Sequence, residues 1–262
     1  MESRYPTNHI PDMERREQAA YPSKYVLIVG CDPQSLIFAS LLLQRLGYHI
    51  CTAGTAEIAL EMARAVVPIL VITDLKLPEM NAPQMMRYLR ERERTAAVPI
   101  IIQLEQLVPK IVQKCLEAGA TACIKKPVEP EELYRVIQAA IELTPREHIR
   151  IKTCLSVVLN NRPLDFNAGE CAIMLSSRGM YVRTRTRQPV HTKFPIAINL
   201  NERLIHAEAK VIYSHSEGEG PFGQPGMGLY FTVIAQEDQE FLQQYITDEV
   251  TRGLSSDKPV GS

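Results

Sequence analysis

The stretch ILVITDLKLPEM, residues 69–80, decides the fold. Ile69 to Thr73 are apolar or β-branched without a break, and Asp74 follows at once. An unbroken apolar run of this length, bounded by Pro68 and a polar turn, is the pattern of a strand buried on both faces. Strands of that kind belong to parallel sheets covered by helices on each side. The run therefore predicts a layered α/β domain with an aspartate at the carboxyl end of a central strand.

Working outward, the rest of residues 24–143 repeats the alternation. KYVLIVG (24–30) is a second apolar run, ended by glycine, and Asp32-Pro33 supplies a helix N-cap and a first-turn proline. SLIFASLLLQRLG (35–47) reads as a helix stopped by Gly47, and 48–52 as a strand. The pattern continues with a helix over 56–66, the strand 69–73, and a helix over 82–92 with Met85, Met86 and Leu89 on one face. After it come a strand at 100–104, a helix at 109–118 ended by Gly119, a strand at 122–124 and a helix at 130–143. Right-handed crossovers leave few topologies for five such strands. Order 2-1-3-4-5 is expected, with its crevice at the carboxyl ends of the first and third strands, where Asp74 lies.

After Thr144-Pro145 the texture changes. IKTCLSVVLN, GECAIMLS, GMYVRTRTR, FPIAINL, LIHAEAKVIYSH and GMGLYFTVI are short β-rich runs separated by turn residues. Their spacing predicts an antiparallel barrel or sandwich over about 150–234, closed by an amphipathic helix over 235–254. GEGPFGQPGMG (218–228) reads as a flexible hairpin loop, residues 1–23 as a polar mobile arm, and 255–262 as a disordered tail. The predicted division is thus an arm at 1–23, an α/β domain at 24–143, a β domain at 144–254 and a tail.

Composition narrows the function. With 45% hydrophobic and 23% charged residues and a net charge of -1, the chain has no global attraction for nucleic acid or anionic membrane. No apolar run reaches the length of a membrane span, and the first 20 residues lack the apolar core of a secretory signal, so a cytoplasmic protein is expected. Cys31, Cys51, Cys115, Cys123, Cys154 and Cys171 form no C-x-x-C pair and read as buried free thiols. No G-x-S-x-G, H-E-x-x-H or phosphate-binding Walker loop occurs, and the six histidines show no ligand spacing, so no catalysis is expected.

Two constellations remain. Asp74 with Lys126-Pro127 in GATACIKKPVEPEEL (119–133) resembles the receiver domain of bacterial response regulators. The resemblance implies phosphoryl transfer to Asp74, with Mg²⁺ held by an acidic pair after the first strand. Here VGCDP puts Gly30 and Cys31 at the acidic positions; Asp32 matches a third position and reads as the helix N-cap. Leu104 stands where the family has serine or threonine, and Cys123 where it has a switch aromatic. Only Asp74 and Lys126 match, so a Mg²⁺ site is not expected. The domain reads as a pseudo-receiver, with phosphorylation of Asp74 as the alternative and a homodimer as one arrangement the family implies.

PREHIR places Arg146 and Arg150 four apart at the domain junction, and LSSRG (175–179) follows on the β-rich half. An R-x-x-x-R before a barrel, then S-x-x-G on it, resembles the PilZ domain, which binds the second messenger cyclic di-GMP. The resemblance implies that Arg146 and Arg150, on a linker ordered by ligand, clamp phosphate and guanine, with Ser176, Arg178 and Gly179 shaping the barrel side. Arginine suits this task because its fork binds phosphate bidentately and stacks on purines. Met174 replaces the family's aspartate or asparagine, losing a contact worth ~1–3 kcal/mol. His148 lies inside the arginine motif as a spacer. Arg183, Arg185 and Arg187, at period two, are expected on one strand face, facing an anion or an acidic protein; nucleic acid is not expected, with only Tyr181 nearby to stack. The leading expectation is a cyclic di-GMP-responsive adaptor acting on a signalling or motility protein. A ligand-independent interaction module, with both domains degenerate, is the alternative.

Overall fold

The structure is a computed structural model and describes residues 24–201, 203–219 and 223–254. The predicted arm 1–23, the tail 255–262 and the centre of the 218–228 loop lie outside the described residues.

The first domain runs β1 (Val26–Val29), α1 (Pro33–Arg45), β2 (Ile50–Ala53), α2 (Ala56–Ala65), β3 (Leu70–Asp74), α3 (Ala82–Arg90), β4 (Ile100–Leu104), α4 (Pro109–Glu117), β5 (Ala122–Lys125) and α5 (Pro130–Ile141). Its five parallel strands take the order β2-β1-β3-β4-β5, as the sequence pattern predicts. Local chemistry sets the helix starts. Asp32 caps α1 by accepting from Ser35 N at 3.0 Å, and Asn81 and Gln84 form a reciprocal capping box on α3. Gly47 ends α1 with φ +92°, a conformation that costs glycine little.

Period-two alternation sends β1 side chains to two cores. Leu27 and Val29 pack with Met85, Met86 and Leu89 on the α2–α3 side. Val26 and Ile28 pack with Leu42, Leu43 and Ile137 on the α1–α5 side. That second core does not stop at the domain edge. It continues through Ile149 into Leu175, Leu229 and Phe231 of the β domain.

The β domain comprises β6 (Ile151–Leu155), β7 (Val157–Leu159), β8 (Arg162–Pro163), β9 (Cys171–Ser176), β10 (Gly179–Arg183), β11 (Lys193–Leu200), β12 (Arg203–His215) and β13 (Gly226–Ile234), followed by α6 (Gln236–Thr251). The strands form one antiparallel sheet, ordered β6-β9-β10-β13-β12-β11-β7-β8. β6 and β7 are consecutive in the chain, joined by Ser156 alone, yet stand near opposite ends of that order. The sheet must therefore curl until its ends meet at Ser156. The result is a half-barrel with β6 and β8 as unjoined edges.

Two details depart from the sequence reading. The run 151–160 is not one strand but two, because the corner at Ser156 turns it from one sheet edge to the other. The arginine stripe does not lie on a strand face. β10 ends at Arg183, and Arg185 and Arg187 fall in the following bend. Glu170 causes the break: its carboxylate accepts from Thr184 Oγ1 and from Arg185 N, pulling the chain out of the ladder.

α6 joins the two halves. Leu242, Ile246 and Val250, spaced by one helical turn, are fully buried or nearly so. The helix start is anchored by Arg203, which donates to Asp238 at 2.6 and 3.0 Å and lies over the Phe241 ring at 4.8 Å. Its outer side reaches the first domain, where Gln243 donates to Glu131 at 2.9 Å. The linker is also held. Gln138 on α5 donates to the Tyr48 hydroxyl at 2.9 Å and accepts from Arg146 N at 3.2 Å, while Ile149 is wholly buried. The segment expected to wait for ligand before ordering is packed along α5.

Candidate functional site

The crevice at the carboxyl ends of β1 and β3 is built around Asp74. β3 carries it to the sheet rim, in register with Gln103 of β4. Lys126, whose backbone N–H donates to Leu104 O at 2.8 Å, closes an ion pair with Asp74. Both side chains are largely buried, at 18% and 13% exposure, so the pair is poorly screened by solvent. Glu105 stands 4.0 Å from the same ammonium group.

A Cβ at Gly30 would lie 3.0 Å from Asp74 Oδ2, so position 30 borders the carboxylate directly yet supplies no side-chain oxygen. Asp32 is committed to its cap. Its carboxyl is held below the ordinary aspartate range, first by the hydrogen bond from the Ser35 hydroxyl and then by Ser35 N. Among the described residues, no three His, Cys, Asp or Glu side chains converge as a metal site would need.

A cavity of about 810 Å³ opens beside the crevice, and it belongs to both domains. Asp32, Phe38, Gln103 and Lys126 line it from the α/β side, Thr251 and Leu254 from the end of α6. The closing helix of the β domain thus ends at the mouth of the Asp74 crevice.

The second constellation lies on the outer face of the curled sheet. Leu175 points into the core and Ser176, by strand alternation, to the opposite face, where it is itself nearly buried at 9% exposure. Ser176 pairs with Gly179, Gly179 with Tyr230, and Tyr230 with Lys210. Ile151 pairs with Leu175, and carrying that register one residue back sets Arg150 opposite Ser176. Arg150, Ser176, Gly179, Tyr230 and Lys210 therefore form one row across neighbouring strands. The next row holds Lys152, Met174 and Tyr181.

Arg146 and Arg150 are exposed, and among the described residues neither guanidinium makes a hydrogen bond or ion pair. Two other residues of the sequence motif have internal duties. A Cβ at Gly179 would meet Leu229 O at 2.2 Å, so glycine is demanded by the neighbouring strand. Arg178 turns to α6: with the Gln239 amide oriented oxygen-first, Arg178 Nε and Nη2 donate to it at 3.1 and 3.2 Å. Ser176 Oγ donates to Gly179 O at 3.0 Å, which leaves its lone pairs to accept. His148 is half-buried beside Glu147, 4.0 Å away.

Sequence reasoning missed Tyr230, Gln138 and Gln239. Tyr230 becomes visible only when the register against Gly179 is known. Arg183 is fixed internally, donating to Gly169 O, Gln224 Oε1 and Cys171 Sγ, so it offers no open anion site. Tyr181 is likewise buried, stacked near Tyr213 at 6.1 Å between centroids.

Several known proteins are similar to less than half of the chain. The chain is 27% identical over 119 residues to the two-component response regulator ORR7 of Oryza sativa subsp. japonica, spanning 45% of this chain and 57% of that protein. It is 31% identical over 108 residues to hybrid signal transduction histidine kinase D of Dictyostelium discoideum, spanning 41% of this chain and 7% of that one. Among solved structures it is similar to the chemotaxis response regulator CheY4 of Vibrio cholerae, at 27% identity and a TM-score of 0.43, covering 45% of this chain and 97% of that one. The chain spans little more than half of the first relative and a small part of the second. Among the described residues no helix is long and apolar enough to cross a membrane. The response regulator receiver domain family matches residues 26–138 and the PilZ domain family residues 144–248, so this chain joins a receiver domain to a PilZ domain.

Proposed function

We propose that the chain is a cyclic di-GMP-responsive adaptor that acts through protein contacts, with working units at 24–143 and 144–254. One observation carries this reading. Arg150 stands in a row with Ser176 and Gly179, and both hook arginines present unpaired guanidinium groups to solvent. Arg146 and Arg150 hold phosphate and stack on guanine. Ser176, Arg178 and Gly179 shape the barrel side, Ser176 from a nearly buried position and Arg178 through its hold on Gln239 of α6. Met174 cannot accept from guanine N–H groups, which weakens the complex about ten- to a hundredfold relative to an acid or amide there.

The receiver half is read as a surface and scaffold, without catalysis of its own. Mg²⁺ does not fit the donor set: Asp74 is paired with Lys126, Asp32 caps α1, and Gly30 and Cys31 offer no carboxylate. Ligand bound at the hook pulls on a linker tied to α5 through Gln138, and on α6, so the domain pair can transmit binding as a change in the outer faces of both.

Titration calorimetry with cyclic di-GMP tests the reading. Micromolar binding is expected in the wild type, with loss in Arg150→Ala and in Arg146→Ala. Absence of heat at high protein concentration would establish instead a ligand-independent interaction module. Treatment with beryllofluoride and Mg²⁺ tests the receiver half, and a stoichiometric adduct at Asp74 would replace the scaffold reading with a phosphorylation switch.

A further inference from the structure

Cys154 and Cys171 lie 17 positions apart in sequence, but their sulfurs approach to 3.4 Å. The two thiols differ in access. Cys154 is exposed on edge strand β6, whereas Cys171 is buried at the start of β9. Behind Cys171, Arg183 donates through Nη2 to the sulfur at 3.4 Å. That guanidinium is immobilised by Gly169 O and Gln224 Oε1. The pair thus has an open member, a sheltered member, and a fixed cation beside the sheltered sulfur.

We propose that Cys154 and Cys171 form an oxidation site for hydroperoxides, in which Cys154 is oxidised first and Cys171 resolves it to a disulfide. The Cys154 thiolate attacks a peroxide oxygen, the O–O bond breaks, and the departing alkoxide takes a proton and leaves as an alcohol, or as water from hydrogen peroxide. Cys154 is then a sulfenic acid. The Cys171 sulfur attacks the Cys154 sulfur, the S–O bond breaks, and the hydroxide leaves as water with the Cys171 proton. Two thiols have lost two electrons and the peroxide has gained them. Arg183 stabilises the negative charge that develops on Cys171 as its proton leaves.

The sulfurs are already close to bonding range. Closing 3.4 Å to a disulfide length of ~2.05 Å moves the sulfurs by little more than an ångström. β6 is an edge strand, and its register against β9 already shifts between Lys152 and Leu155, so it is free to yield. The bond would staple β6, which follows the hook arginine Arg150, to the strand that carries Ser176.

Cys115 and Cys123 provide an internal comparison. They are also neighbours, and burial pushes the Cys123 thiol up to about 11; burial raises the Cys171 thiol as well, but there Arg183 acts against it and Cys154 is exposed, whereas Cys115 is buried and no cation among the described residues adjoins Cys123. Cys31 is exposed and free.

The experiment treats the full chain with hydrogen peroxide, blocks free thiols with an alkylating agent, and maps peptides by mass spectrometry. The expected product is a reducible cross-link between Cys154 and Cys171 that forms before Cys115 and Cys123 are modified. Cys171→Ser should trap Cys154 as a sulfenic acid, detected by a dimedone adduct, and Arg183→Gln should slow the cross-link several-fold. The wild-type map does not depend on either variant folding. Cys154 over-oxidising to sulfinic acid while Cys171 stays alkylatable, or both thiols staying reduced while Cys31 reacts, would overturn the assignment.

Discussion

Arg45 on α1 donates through Nη1 to the carbonyl of Val250 on α6 at 3.0 Å, across 205 positions of sequence. Val250 O is among the last four carbonyls of α6, which have no partner inside the helix. A guanidinium there satisfies an orphan acceptor and opposes the negative end of the helix dipole. Arg45→Ala should therefore cost about 1–2 kcal/mol of unfolding free energy. The loss should concentrate in the docking of α6: amide exchange should quicken at the end of α6 and in α1 while the β3–β4 ladder stays protected. Uniform acceleration would mean that α6 is not a separable strut.

Gly179 sits in the ligand-binding motif, yet its strongest constraint is internal. Adding a methyl group would bring Cβ within 2.2 Å of Leu229 O, and a backbone oxygen in a central ladder cannot move aside cheaply. Gly179→Ala is expected to lower stability by about 1–3 kcal/mol without any ligand present. Ser176→Ala, which loses one neutral hydrogen bond, should cost about 1 kcal/mol. Thermal unfolding of the two variants checks the order. A Gly179→Ala chain as stable as the wild type would show that the glycine is there for the ligand alone.

What could be read in advance follows from how local each cause is. The α/β half was legible because each buried strand is a continuous apolar run and each helix start carries its own cap, as at Asp32. Asp74 and Lys126 were legible for the same reason, since both sit at strand ends whose order is nearly forced. The half-barrel was legible as a set of strands but not as a path. Nothing local announces that Ser156 turns a corner, or that Glu170 breaks β10 by binding Thr184 and Arg185 from 14 and 15 residues away. The expectation of an arginine stripe failed on that long-range bond. The docking of α6 on α1 and α5 was equally hidden, because Leu242, Ile246 and Val250 look the same whichever surface they bury against.

The same Glu170 makes the β10 end pH-sensitive. The hydrogen bonds from the Thr184 hydroxyl and then from Arg185 N hold its carboxyl below the ordinary glutamate range, against the opposing effect of burial. A depressed folded pKa contributes stability that is fully present above the unfolded value, ~4.3, and is lost as pH falls through the folded value. The Arg185 amide resonance should thus hold steady at neutral pH and move in acid, with its midpoint below the unfolded glutamate value of ~4.3. Glu170→Gln should abolish that titration at the Arg185 amide. Because the carboxylate is near the surface, solvent screening keeps the global effect small.

The Asp74 crevice has no carboxylate at positions 30 and 31. Placing carboxylates at the two vacant acidic positions, as Gly30→Asp with Cys31→Asp, should crowd Asp74, since the new Cβ at 30 starts 3.0 Å from its Oδ2. Three like charges at one rim repel, so the variant should be less stable than the wild type in chelator. Mg²⁺ relieves both effects by drawing the oxygens around one hard cation and freeing Asp74 from Lys126. Adding Mg²⁺ should then raise the variant's unfolding midpoint, by the equivalent of ~2.7 kcal/mol at a hundred times its Kd, while the wild type stays unchanged. A wild type that gains as much from Mg²⁺ as the variant would show that Asp74 and its present neighbours already bind the ion, and the scaffold reading of this half would fail.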